Sequence, residues 1–161
     1  MFEFVDGLPV HALVVHAVVV LIPLAALGAV VIAVWPAARR RYGWLVVGFA
    51  GVAMLLTPVA SVSGFALQER LPENELIQAH EALGKQLIFF VVPLFLAVLV
   101  LMIAHQAGVR TERPKSWAKP VLVVFAVLSV IAGGAAGVQV YRVGDAGSRA
   151  VWDGVAEQPV R

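Results

Sequence analysis

Residues 8–36 read LPVHALVVHAVVVLIPLAALGAVVIAVWP, without one charged side chain. About 20 apolar residues in a helix cross the hydrocarbon of a bilayer, and this run stays uncharged to residue 38. Three further uncharged stretches follow, at 42–68, 86–109 and 120–141. Little chain is left over. With 61% hydrophobic and 14% charged residues and a mean hydropathy of +0.91, the 161 residues predict one membrane domain. Its fold class is all-α, an antiparallel four-helix transmembrane bundle, since short connections make neighbouring helices antiparallel.

Proline, glycine and charge set the expected boundaries, roughly 9–36, 43–68, 73–107 and 117–142, with 143–161 as an outer tail. Pro9 and Pro72 suit helix starts. Pro23, Pro58 and Pro93 fall inside helices and should kink them. Glu73 and Glu75 suit the positive end of a helix dipole. Gly144 and Gly147 read as the end of the fourth helix. The first span is too long, and too poor in basic residues before it, to be read as a cleaved leader. No internal repeat is apparent.

Charge sorts by connection. The 1–2 and 3–4 connections hold Arg39, Arg40, Arg41, Arg110, Arg113, Lys115 and Lys119 against the single acid Glu112, a net of +6. The two termini and the 2–3 connection hold five bases and nine acids, a net of −4. Lys and Arg concentrate in cytoplasmic loops, so both termini are expected outside a bacterial cytoplasmic membrane. Trp35, Trp44 and Trp117 would mark the cytoplasmic interface. The basic residues form no patch of the kind nucleic acid requires.

Imidazole inside a membrane helix is costly and generally functional. At 1.5 Å per residue, His16 lies about 10 Å beyond Pro9 and His80 about 12 Å beyond Pro72. Both helices start on the same side, so the two should stand level. His11 lies nearer water. Ser61 and Gly64 on the second helix and Gly133 and Gly137 on the fourth fall at a similar depth. Small residues opposite histidines leave room for something flat. Neutral imidazole is a common axial ligand of haem iron. The expected site is therefore one b-type haem on His16 and His80, with His11 at the rim or as the alternative ligand. Arg70, Lys85 and Arg142 are candidate partners of the propionates. A bare metal ion on His11, His16 and His80, with Glu81, is an alternative. So is plain helix packing, in which Gly133-x-x-x-Gly137 only lets helices approach. His105 lies about 35 Å from His80 along the helix and reads as an interfacial residue.

Other classes find no support. The absence of cysteine excludes disulfides, iron–sulfur ligation and thioether-bound haem. No serine, histidine and acid are set together, and no nucleotide-binding glycine pattern occurs. The midplane is Val, Leu and Ala, unlike a transporter or channel.

The stretches GLPVHALVVHAVVVLIPLAALGA, AHEALGKQ and GGAAGVQVYRVGDAGSRAVW resemble a bacterial, often actinobacterial, family of small four-helix membrane proteins catalogued as domain of unknown function 2231. The resemblance spans nearly the whole chain. It implies that His11, His16 and His80 belong to the family pattern and that His105 does not. Ala12 stands where relatives often have proline. Some relatives are fused to Rieske-type iron–sulfur domains, which implies a redox setting. The expected function is electron transfer with a quinone or a redox partner protein, rather than stand-alone enzyme activity. The alternative is a cofactor-free membrane scaffold. Lipid is an expected partner, and a second copy of the chain is an open one.

Overall fold

The computed structural model describes residues 4–109 and 116–157. The basic residues Arg110, Arg113 and Lys115 of the 3–4 connection lie outside them. The chain opens with a small antiparallel hairpin, β1 (Phe4–Val5) and β2 (Leu8–Pro9). Its turn is Asp6-Gly7, with φ of 48° and 79°. Positive φ at both central residues is what a two-residue hairpin turn of matching twist requires, and Asp-Gly supplies it.

Helix α1 (Val10–Val34) stops at Trp35, and α2 (Pro36–Gln68) begins at the next residue. The cause is Pro36. Its ring disfavours helical geometry in the preceding residue, and Trp35 is extended, with φ −117° and ψ 102°. Proline itself fits the first position of the new helix. The expected connection at 37–42 is therefore the first two turns of α2. Arg39, 5% exposed, folds back from there. Its Nε donates to Ile32 O at 2.6 Å and its Nη2 to Ala33 O at 2.5 Å. A guanidinium so placed satisfies carbonyls that the end of α1 leaves open, and it meets the negative end of the dipole.

Residues 71–74 are not helical. Asn74 caps α3 (Glu75–Gln86) by accepting Leu76 N–H at 2.8 Å. The expected third helix is thus shortened and broken once. It starts after Glu73, and a turn at Leu87, with Leu87 N–H on Gly84 O, separates α3 from α4 (Ile88–Val109). The two pieces still act as one span, Glu75–Gly108. Helix α5 (Ala118–Trp152) runs ten residues past the expected end, and a 3₁₀ turn (Val155–Glu157) follows. Glycine in a helix costs about 1 kcal/mol relative to alanine. Packing of α3 against this end of α5 offsets that cost, so Gly144 and Gly147 do not break the helix.

Four helical segments are long and apolar enough to cross a membrane. Around the bundle the neighbours are α1–α2, α2–α4, α4–α5 and α5–α1, with α1 and α4 on the diagonal. The core alternates small and branched residues: Ala25, Ala29, Ala50, Ala53 and Ala136 with Ile22, Ile32, Val91, Leu94 and Leu101. Large apolar side chains such as Leu27, Leu55, Phe89 and Ile131 point outward, as they must where the solvent is lipid. Buried polar groups find partners inside the protein. Thr57 and Ser129 donate to carbonyls one turn back, and Gln139 Nε2 donates to Leu83 O at 3.0 Å.

Candidate functional site

With an even number of spans, both termini share one end of the bundle, and a cavity of about 670 Å³ opens there. Helices α1, α2 and α3 and the last turns of α5 form its walls. Most of the lining is apolar, including Val15, Val18, Phe65 and Ile77. Its polar members include His11, His16, Gln68, His80 and Glu81. Lys85 is the one cation lining it among the described residues, and it pairs with Glu81 at 2.5 Å.

His11 and His80 meet in this cavity. Their ring centroids are 6.2 Å apart and their planes cross at 81°. Each ring is tied to the neighbouring helix. His11 Nδ1 lies 2.9 Å from Ala60 O of α2, and His80 Nδ1 lies 2.9 Å from Val143 O of α5. A carbonyl oxygen only accepts, so both Nδ1 atoms carry the proton and a neutral ring keeps a bare lone pair on Nε2. No buried polar side-chain atom lacks a partner among the described residues, so neither Nε2 is sealed without one.

His16 also lines the cavity, but it is exposed and its Nδ1 bonds Ala12 O within its own helix. The ring that meets His80 is thus His11, and the level pairing of His16 with His80 is not the one the fold makes. Equal depth for His16 and His80 requires a common starting plane for the two helices. Helix α3 begins three residues after Pro72, and five residues turn His16 about 140° away from His11 around α1.

Ser61 and Gly64 line the cavity as expected. Gly133 does not. It is buried against α1, where an added Cβ would meet Ala26 O at 3.1 Å, so it serves helix packing. Gly137 is half-buried, lies outside the cavity and has open space beside it. Arg142 is exposed and faces a separate groove of about 210 Å³ with Leu76, Tyr141 and Arg149. Arg70 stacks on Phe4 at 5.5 Å. His105 sits at the far end of α4. The bare-ion alternative is not assembled: no group of three or more His, Asp or Glu among the described residues could hold a metal ion. The turn of α1 separates His16 from the pair, and Glu81 is engaged by Lys85.

Sequence reasoning missed Gly147, Ser148, Val151 and Trp152, which complete the cavity wall from α5. The glycines at 144 and 147 concealed them by reading as a helix end.

The family described as "Predicted membrane protein (DUF2231)" matches residues 7–158. The chain belongs to this family. The match takes in His11, His16 and His80 of the cavity, the carbonyl-bearing turns at 60 and 143 and all four spans. No curated protein and no solved structure matches it.

Proposed function

We propose that this DUF2231 protein is a membrane electron-transfer protein that holds one b-type haem in the terminal-end cavity, with His11 and His80 as axial ligands. The observation that carries the reading is the imidazole pair. Two rings bound on opposite sides of one metal ion through bonds of about 2 Å have their centroids about 6 Å apart, and these rings stand 6.2 Å apart. They come from different helices, as two axial ligands must. Carbonyl-bound Nδ1 atoms are the usual outer support of metal-binding histidines. The cavity volume falls within the range of about 300–1,000 Å³ typical of cofactor sites.

A haem with imidazole on both faces supplies one-electron transfer without an open coordination position. The chain's own residues do the rest. Val15, Val18 and Phe65 exclude water, which tunes the potential. Lys85 at the wall would meet a carboxylate of the occupant only by leaving Glu81. The basic loop end argues for a cytoplasmic placement of that end, so the cavity faces outward in a bacterial cytoplasmic membrane, where a quinol or a redox partner protein would exchange electrons.

The test is the visible spectrum of protein purified from haem-replete cells. A low-spin, bis-imidazole reduced-minus-oxidised spectrum is expected, and a colourless protein overturns the reading in favour of a cofactor-free scaffold.

A further inference from the structure

The two histidines are held by the same device, built twice. On α2, the carbonyl of Ala60 accepts His11, and four residues later Gly64 lies under the ring. An added Cβ there would meet His11 Cε1 and Nδ1, each at 2.9 Å. On α5, the carbonyl of Val143 accepts His80, and four residues later Gly147 lies under the ring. An added Cβ there would meet His80 Cε1 and Nδ1, each at 3.0 Å. An alanine at Gly64 would force the His11 ring to shift, and one at Gly147 would make the His80 ring give by a few tenths of an ångström, each against the imidazole that bonds the neighbouring carbonyl.

The correspondence extends along the chain. His11 and His80 open the first and third spans, and Pro23 and Pro93 follow them by 12 and 13 residues. The turn at Leu87 interrupts the third span within that interval. Helices α1 and α4 lie on one diagonal of the bundle, and each histidine reaches the helix that follows its own span in sequence. The two halves thus pack alike, α1 against α2 as α4 against α5, and the paired rings meet at the terminal end of the bundle.

We propose that Gly64 and Gly147 are positioning residues. Each lets one imidazole lie against the neighbouring helix with its Nδ1–H on the carbonyl one turn back. The two halves of the chain thereby present two bare Nε2 lone pairs to one occupant. The tautomer is the functional point. A ring that turned to place its proton on Nε2 would have a donor where a metal needs an acceptor. Glycine is the residue that permits this, because the contact is made at the position a Cβ would fill. Two other glycines of the same helices have no such neighbour. Gly48 on α2 and Gly134 on α5 face open space. The identity of the occupant rests on the haem reading, whereas the tautomer does not.

The experiment is long-range ¹H–¹⁵N NMR of the histidine rings in full-length, haem-free protein in nanodiscs, paired with haem titration. In the unsubstituted protein, His11 and His80 should both be protonated on Nδ1 and bare on Nε2. Gly64→Ala should shift the nitrogens of His11 and spare those of His80, and Gly147→Ala should do the reverse. Each should weaken haem binding about 10- to 100-fold, the usual loss when the outer support of a metal ligand is removed. Gly48→Ala and Gly134→Ala should change neither quantity, which separates a local displacement from general unfolding. Nε2 protonation of either ring in the unsubstituted protein overturns the proposal. So do Gly64→Ala and Gly147→Ala rings with unmoved nitrogens. The expected tautomers in a protein that takes up no haem would sustain the positioning role and sink the haem reading, so the two fail separately.

Discussion

The rings of His11 and His80 stand 6.2 Å apart between centroids, with their planes crossing at 81°, on helices that lie in different halves of the chain. His16, five residues from His11 and on the same cavity wall, bonds to Ala12 O of its own helix. That difference decides which substitutions should matter.

His11→Ala and His80→Ala should each abolish the low-spin haem spectrum, because either change leaves one axial position without imidazole. His16→Ala should shift the spectrum without abolishing it, and His105→Ala should leave it unchanged. Reduced-minus-oxidised spectra of the four purified variants check this. Loss of the spectrum in His16→Ala with its retention in His11→Ala would return the ligand role to His16.

The ring bonds to Ala60 and Val143 also tie the helices together. Asparagine can donate from its side-chain amide much as Nδ1–H does, but it offers no imidazole lone pair. His80→Asn should therefore keep stability close to that of the unsubstituted apoprotein. His80→Ala should lose about 0.5–1.5 kcal/mol, the net worth of one hydrogen bond. Thermal unfolding of haem-free protein in nanodiscs distinguishes them, and equal losses would show that the bond contributes nothing.

Arg39 closes the α1–α2 corner through two carbonyls. Arg39→Ala should destabilise by about 1–3 kcal/mol, since buried acceptors lose their donors. Arg39→Lys should recover part of the loss, because an ammonium carries the charge but not the two-pronged geometry. Exposed Arg41→Ala should stay within about 0.5 kcal/mol. The same melting assay reads all three, and an Arg39→Ala as stable as Arg41→Ala contradicts the account.

Gly133 and Gly137 should behave differently despite their shared spacing. At Gly133 a side chain meets the α1 backbone at Ala26, whereas at Gly137 it meets nothing within 4 Å. Gly133→Leu should cost about 1–3 kcal/mol by overpacking, and Gly137→Leu should cost less. Neither lines the cavity, so haem content per folded molecule should be unchanged in both. Depletion of haem in folded Gly137→Leu would place that residue at the site after all.

The absence of cysteine makes single-cysteine labelling clean. Glu157→Cys should react with an impermeant thiol reagent from outside intact cells. Ser116→Cys, at the loop end, should react only after the membrane is opened. The opposite pattern would turn the cavity toward the cytoplasm.

Much of the fold was legible because its signals are local. Charge-free length marks a span wherever it occurs, and Pro36 forces Trp35 out of helix through a clash between adjacent residues. The Asp6-Gly7 turn carried an equally local signal that hydropathy alone passed over. The end of α5 was misread because Gly144 and Gly147 look like breakers until their neighbours are known. The expected participants Ser61, Gly64, His11 and His80 share one cavity, while Gly133, Gly137 and Arg142 fall elsewhere. Depth along a helix can be counted from sequence, but the starting plane and the direction around the axis cannot.

By itself, then, the sequence determined an all-α bundle of four spans, its membrane setting and the clustering of three histidines toward the end that holds both termini. Those follow from composition, periodicity and the fixed rise of a helix. Only the tertiary structure decided that His11 rather than His16 meets His80, and that Gly147 supports the site while Gly133 packs a helix. Those outcomes depend on how α1 and α3 are rotated against α2 and α5. That rotation is set by close contacts between residues distant in sequence, such as His80 with Val143 and Gly133 with Ala26.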